Sequence, residues 1–147
     1  MSQAPHMLHH LSFGVADLAR SAAFYDAVLG ALGYRRVFAN EHAVGYGLVD
    51  GQDHFCIKAR ARTQAPGRGF HLAFGAGSHA QVDAFHTSAL LHGGSDNGAP
   101  GPRPHYGPHY YAAFIIDPDG YEIEAVINHP PSSDDARERA AHTPSGE

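Results

Sequence analysis

HLSFGVADLARSAAFYDAVLGALG, residues 10–33, returns 61 positions later as HLAFGAGSHAQVDAFHTSALLHGG, residues 71–94, with nine of 24 aligned pairs identical. Chance would supply roughly two or three, so one supersecondary unit is used twice. The hydrophobic period changes in the same order in both copies. Leu8 to Val15 alternates as a strand does, and then Leu18, Ala22, Tyr25, Leu29 and Leu32 recur at helical spacing. Asp17 suits the helix N-cap and Gly33 its end. In the second copy Phe70, Leu72 and Phe74 alternate, Ser78 is the cap, and Val82, Phe85 and Ala89 carry the helical stripe to Gly93-Gly94.

Outward from each strand-helix pair lie short strand-like segments. Tyr34–Phe38, Ala43–Val49 and Phe55–Ala59 follow the first, and Tyr110–Ile116 and Tyr121–Ile127 follow the second. Asp117-Pro118-Asp119-Gly120 joins the last two, with Pro and Gly placed as a tight turn requires, and predicts a hairpin. Residues 60–69 read as a linker between modules spanning 8–59 and 70–127. Ser95–His109 reads as a long Gly/Pro loop of the kind that binds or covers something. Residues 1–7 are expected to be a flexible N-terminus, and 128–147, with almost no large apolar residue, a mobile tail.

With 147 residues the chain has room for one domain, and 43% hydrophobic against 17% charged residues supplies a core. A formal charge of -5 without a basic stripe argues against nucleic acid as a partner. The single cysteine, Cys56, excludes an intrachain disulfide framework and fits a reducing compartment. No apolar run approaches the ~18–20 residues of a membrane span and no signal peptide is evident, so a cytoplasmic location is expected. Histidine, with 13 copies, is the unusual entry in the composition.

Strand parity sorts those histidines, because successive side chains point to opposite faces. Leu11, Phe13 and Val15 share the face expected under the helix; His10, Ser12 and Gly14 share the other. His71 takes the equivalent place in the second copy. On the final strand Tyr121, Ile123, Ala125 and Ile127 fall on the core side and Glu122, Glu124 and Val126 opposite; on 54–59 the corresponding set is His54, Cys56 and Lys58. If the halves pack with pseudo-twofold symmetry, the faces away from the helices form one trough holding His10, His71 and Glu124. Two imidazoles and a carboxylate suit a divalent ion with open positions, namely Fe, Mn, Ni or Zn. Taken singly, each is as readily explained as a rim residue or an edge charge.

HHLSFGVADLARSAAFYDAVLGALGY, HLAF and DPDGYEIEAV together resemble the vicinal oxygen chelate superfamily, the group of glyoxalases, bleomycin-resistance proteins and extradiol dioxygenases. The likeness covers roughly residues 8–127. It implies an α+β fold of two βαβββ modules, each curling into half of an open barrel around a metal. It places the metal ligands on His10, His71 and Glu124. Glyoxalase I enzymes commonly add a glutamate from the last strand of the first module; here HFCIKA has Cys56 at that position, which weakens a strict glyoxalase assignment. Cys56 reads as a small buried residue or as a soft-metal ligand. Glu122 has the parity of a general base alongside Glu124 at the trough mouth, and equally that of a solvated rim charge. Arg103 would clamp an anionic substrate group, with His105 and Tyr110 walling the pocket.

Three functions remain open from the sequence. The first is a metal-dependent glyoxalase-like lyase or isomerase acting on a small oxygenated carbonyl compound or thiol adduct. The second is a ring-cleaving dioxygenase or fosfomycin-type thiol transferase with the same ligands. The third is a metal-free, ligand-sequestering protein of the bleomycin-resistance kind. A homodimer is expected, because curled modules expose sheet edges that a second copy covers.

Overall fold

Asp17 and Ser78 each sit in extended backbone where strand turns to helix, their side chains accepting from the N–H of Arg20 and Gln81, both at 3.1 Å. In the computed structural model, which describes residues 6–130, each cap opens the helix of one βαβββ unit. The first unit runs β1 (Leu11–Val15), α1 (Leu18–Ala31), β2 (Arg35–Ala39), β3 (Ala43–Gly47) and β4 (Phe55–Ala59). The second runs β5 (Leu72–Gly75), α2 (His79–Leu91), β6 (Ser95–Pro102), β7 (Tyr110–Ile116) and β8 (Glu122–Asn128). The helices also end alike: Gly33 and Gly93 adopt φ of +89° and +95°, a region unfavourable to side chains bearing a Cβ. The next residues, Tyr34 and Gly94, donate their N–H back to the carbonyls of Leu29 and Ala89.

Each unit forms a four-stranded mixed sheet, ordered β1-β4-β3-β2 and β5-β8-β7-β6. The opening strand lies parallel to the closing one, and the other pairings are antiparallel. This is the expected α+β architecture. Parity behaves as read: Phe13, Val15, Phe55 and Ile57 are buried on one side of the first sheet, Ile123, Ala125 and Ile127 on one side of the second. Burying each such large side chain contributes about 1.5–3 kcal/mol.

These two apolar faces share one core. Phe13 of β1 stacks on Tyr121 beside β8 with centroids 4.0 Å apart, Phe55 of β4 meets Phe74 of β5 at 5.2 Å, and α1 packs on α2. The core faces of the sheets therefore look toward each other, and the faces carrying His10 and His71 look outward.

The DPDG turn locks the units together. Asp117 accepts the N–H of Asp119 and of Tyr121, both at 2.9 Å, and the Tyr25 hydroxyl of α1 at 2.5 Å. Asp119 accepts from Arg20, Ser21 and the Ala16 N–H, while the Tyr121 hydroxyl donates to the Gly14 carbonyl at 2.7 Å. Asp117 is almost fully buried, and burial pushes its carboxyl above the ordinary range against the opposing pull of those donors. The Tyr25 hydroxyl is held well above its usual range by burial and by Asp117.

The long loop expected at 95–109 is half strand. Ser95–Pro102 pairs with β7 as β6, despite its four glycine and proline residues, because register shifts at Asp96/Gly98 and Gly98/Gly101 absorb the irregular residues. Only the segment from Arg103 to His109 connects the strands. Asn128, placed in the tail from sequence, closes β8 opposite Tyr110. The remainder of the expected tail from 131, and residues 1–5 of the expected N-terminal segment, lie outside the described residues. No described helix is long and apolar enough to cross a membrane.

Candidate functional site

Glu124 stands in the middle of β8 on the outward face, yet only 2% of it is exposed. A buried carboxylate is costly by several kcal/mol unless its oxygens are satisfied. Both are. Oε1 lies 2.5 Å from His71 Nε2, and Oε2 accepts the hydroxyl of Tyr110. His71 precedes β5, the strand parallel to β8, so the βαβββ order itself brings the histidine beside the carboxylate. Tyr110 opens β7 on the other side of β8. Its hydroxyl is raised above the usual phenol range, first by burial and then by Glu124, so it stays protonated and donates.

A cavity of about 310 Å³ opens over this cluster, lined by His71, Glu124, Tyr110, Tyr106 and Phe114. Phe114 is paired with Glu124 across the β7–β8 hairpin, and its ring centroid lies 5.7 Å from that of His71. Tyr106 packs on Tyr110 at 5.1 Å. The wall is thus three aromatic rings around one imidazole and one carboxylate.

The other residues proposed from sequence are more scattered. Glu122 shares the outward face of β8 but is exposed. Arg103 is half-buried against Phe114, its guanidinium 5.3 Å from the ring centroid and donating to the Ala99 and Pro102 carbonyls, and it does not line the cavity. His105 is one layer removed, its ring tilted against that of Tyr106 with centroids 4.1 Å apart. Phe114 was not among the sequence candidates. In the structure Ile116 lies opposite Glu122, so two residues further along the hairpin Phe114 falls opposite Glu124.

His10 lies on the outward side of the first unit, exposed, with its Nδ1 2.8 Å from that of His9. It borders a separate cavity with Ser12 and Cys56. Among the described residues of one chain, no three His, Cys, Asp or Glu side chains converge as metal ligands. Cys56 occupies the counterpart of Glu124: it pairs with Ser12 on β1 as Glu124 pairs with Ala73 on β5. Burial, with a smaller contribution from Asp53, raises the Cys56 thiol above its ordinary range. A thiol so placed is a poor nucleophile.

The match to the glyoxalase/bleomycin resistance protein/dioxygenase superfamily runs over residues 7–125, the whole of both units up to the strand carrying Glu124. The chain belongs to this superfamily. Among solved structures, a glyoxalase/bleomycin resistance protein from Albidiferax ferrireducens T118 is 36% identical, with a TM-score of 0.72 over 85% of this chain and 100% of that one. A glyoxalase-related enzyme from Fulvimarina pelagi is 23% identical, with a TM-score of 0.65 over 88% of this chain and 95% of that one. A V278E mutant of glyoxalase I from Zea mays is 22% identical, with a TM-score of 0.63, covering 88% of this chain and 47% of that chain. The latter two likenesses establish the shared superfamily fold alone. No curated protein matches the sequence.

Proposed function

We propose that the chain is a metal-dependent enzyme of glyoxalase-like lyase or isomerase type, acting on a small oxygenated carbonyl compound or thiol adduct. The observation that carries this reading is Glu124, a mid-strand carboxylate buried between His71 and Tyr110 on a face with no core to serve. The donor chemistry fits a divalent ion of the Fe, Mn, Ni or Zn type. Imidazole and carboxylate bound about 2.0–2.2 Å from one ion bring their donor atoms to about 3 Å of each other, close to the His71–Glu124 approach seen.

The third ligand, His10, comes from a second copy. Within one chain the two outward faces point apart, whereas β1 and β5 are edge strands with no partner on their outer side. They flank an apolar cleft of about 250 Å³ lined in part by Leu8, Leu11, Leu72 and Phe74. Leu8 and Met7 beside it are 68% and 98% exposed. Open edges beside exposed apolar side chains call for a cover, and a twofold homodimer supplies it. In that dimer the His10 face of one copy meets the His71–Glu124 face of the other.

A bound ion would polarise the substrate carbonyl and stabilise the oxyanion that forms when the neighbouring C–H is deprotonated. This chain's own part is to hold Glu124 in place through Tyr110 and to enclose the substrate with Tyr106 and Phe114. Glu122, exposed on the same strand face, takes the proton from carbon and returns it. The test is to strip the protein, reload it with Fe, Mn, Ni and Zn in turn, and assay hemithioacetal isomerisation. One ion per chain and turnover with at least one metal is expected; a protein that retains none overturns the reading.

One observation favours a second reading: among the described residues of a single chain, no three ligands converge. A metal-free protein that sequesters a ligand in the aromatic-walled cavity would need none. It would bind its ligand equally well after His71→Ala, which the enzyme would not.

A further inference from the structure

The cavity over His71 and Glu124 joins one imidazole and one carboxylate to three aromatic rings, and the Phe114 ring is seated on β6, a strand that carries neither donor. Gly98 of β6 lies opposite Phe114, where a Cβ would come 2.9 Å from Phe114 Cδ2 and 3.4 Å from the Arg103 Nη2. One at Gly101 would come 3.2 Å from Arg103 Nη1. The bare strand positions let Phe114 and Arg103 lie down on β6. Arg103, tied to the Ala99 and Pro102 carbonyls, backs the ring from outside the cavity with its guanidinium 5.3 Å from the centroid. Tyr106 is fixed separately: its N–H donates to the Arg103 carbonyl at 3.0 Å, and the Arg103 N–H to the Tyr110 carbonyl at 2.8 Å, so the 103–109 connection is a hydrogen-bonded turn. Yet the Tyr106 side of the wall stays open to solvent, with that residue 60% exposed. A braced ring beside an anchored, exposed one leaves a flat-walled space that this chain does not fill.

We propose that the substrate of this cavity carries an aromatic ring beside its oxygenated carbonyl group, and that Phe114 is the residue that selects the ring. This deepens the enzyme reading given above and rests on it for the word substrate. A volume of about 310 Å³ stands at the small end of ligand cavities, which run from about 300 to 1,000 Å³, and suits one ring with a short polar arm. A methyl or other aliphatic group would be enclosed as well by leucine or valine. Rings add offset-stacked and edge-to-face contacts that only another ring returns in full. Phe114 and Tyr106 are not ligands of the proposed metal, so ring selection and metal binding can fail separately.

The experiment uses the full chain without metal and three ketones that share one polar arm, namely phenyl, cyclohexyl and methyl hydroxymethyl ketone, titrated by ligand-observed NMR. The phenyl compound is expected to bind about tenfold more tightly than the methyl one and about threefold more tightly than the cyclohexyl one, which matches it in bulk but not in flatness or ring electronics. Phe114→Leu, which keeps an apolar wall, is expected to erase the preference for phenyl over cyclohexyl. Equal or undetectable binding of the phenyl and cyclohexyl ketones by the unaltered chain overturns the proposal, as does a preference that survives Phe114→Leu. The comparison of probes on the unaltered chain is decisive even if the variant fails to fold. Metal reloading and the isomerisation assay decide the enzyme reading separately: ring preference without turnover would sink that reading and keep ring selection, and turnover without ring preference would do the reverse.

Discussion

The two outward faces of this molecule descend from one duplicated unit and have been furnished differently. In the second, the row across the sheet is Ala73, Glu124 and Phe114; in the first, it is Ser12, Cys56 and Gly45. The second row gathers a buried carboxylate, an imidazole and a phenol under aromatic walls. The first has a protonated thiol where the carboxylate would be, and a glycine where the ring would be, so that Asp53 fits above it. The same strand order and matched register thus present metal-type donors on one side and the isolated charges of Asp53 and Lys58 on the other. What separates them is the choice of side chain at register-matched positions.

The sharpest way to test that contrast is to neutralise Glu124. Glu124→Gln removes the anionic ligand and is expected to lower metal affinity by more than about a hundredfold, read by calorimetric titration. Because a buried charge disappears, the melting temperature should not fall. Tyr110→Phe removes only the donor to Oε2. Loss of such an outer partner typically costs about 10–100-fold in metal affinity, and a titration of Tyr110→Phe should fall in that range with the fold unchanged.

Asp117 probes the clamp that keeps the faces pointing apart. Replacing one member of a buried hydrogen-bonded cluster costs about 1–3 kcal/mol, and Asp117→Asn should lose that much in urea denaturation. The pH dependence has a definite sign. Burial raises the folded-state carboxyl, so its contribution is fully present below the unfolded value of about 3.9 and is lost as pH rises through the folded one. The margin of the unaltered protein over Asp117→Asn should therefore narrow over that rising interval; a margin that widens would mean the carboxyl is stabilised in its charged form. The smallest effect belongs to the first face: Cys56→Ala should change metal affinity less than about twofold, since His10, His71 and Glu124 already make up the proposed ligand set.

Much of this was legible in the sequence, for identifiable reasons. The 61-residue repeat carried the two modules, and Asp17, Ser78, Gly33 and Gly93 marked the helix ends through local capping chemistry that tertiary context leaves intact. Parity placed His71 and Glu124 on one face, and the parallel pairing of β5 with β8 made them neighbours. β6 was hidden because its Gly and Pro residues erase the alternating pattern, and only pairing with β7 makes it a strand. The separation of His10 was hidden because parity fixes a face within each sheet, whereas the Phe13–Tyr121 and Phe55–Phe74 contacts decide which way the sheets look. Asp53 left no trace in its own segment; the signal was the pair of glycines in β3, interpretable only once the chain is seen folding over them.

The claim that the metal site is shared between copies is tested most directly by mixing His10→Ala and His71→Ala chains, unfolding and refolding them together, and measuring bound metal. Each variant alone should hold none. If His10 of one copy serves His71 and Glu124 of the other, half of the randomly paired dimers keep one intact site of two, and metal content returns to about a quarter of the unaltered protein's. A mixture that stays empty while the unaltered chain refolds and binds would contradict a site built from two copies.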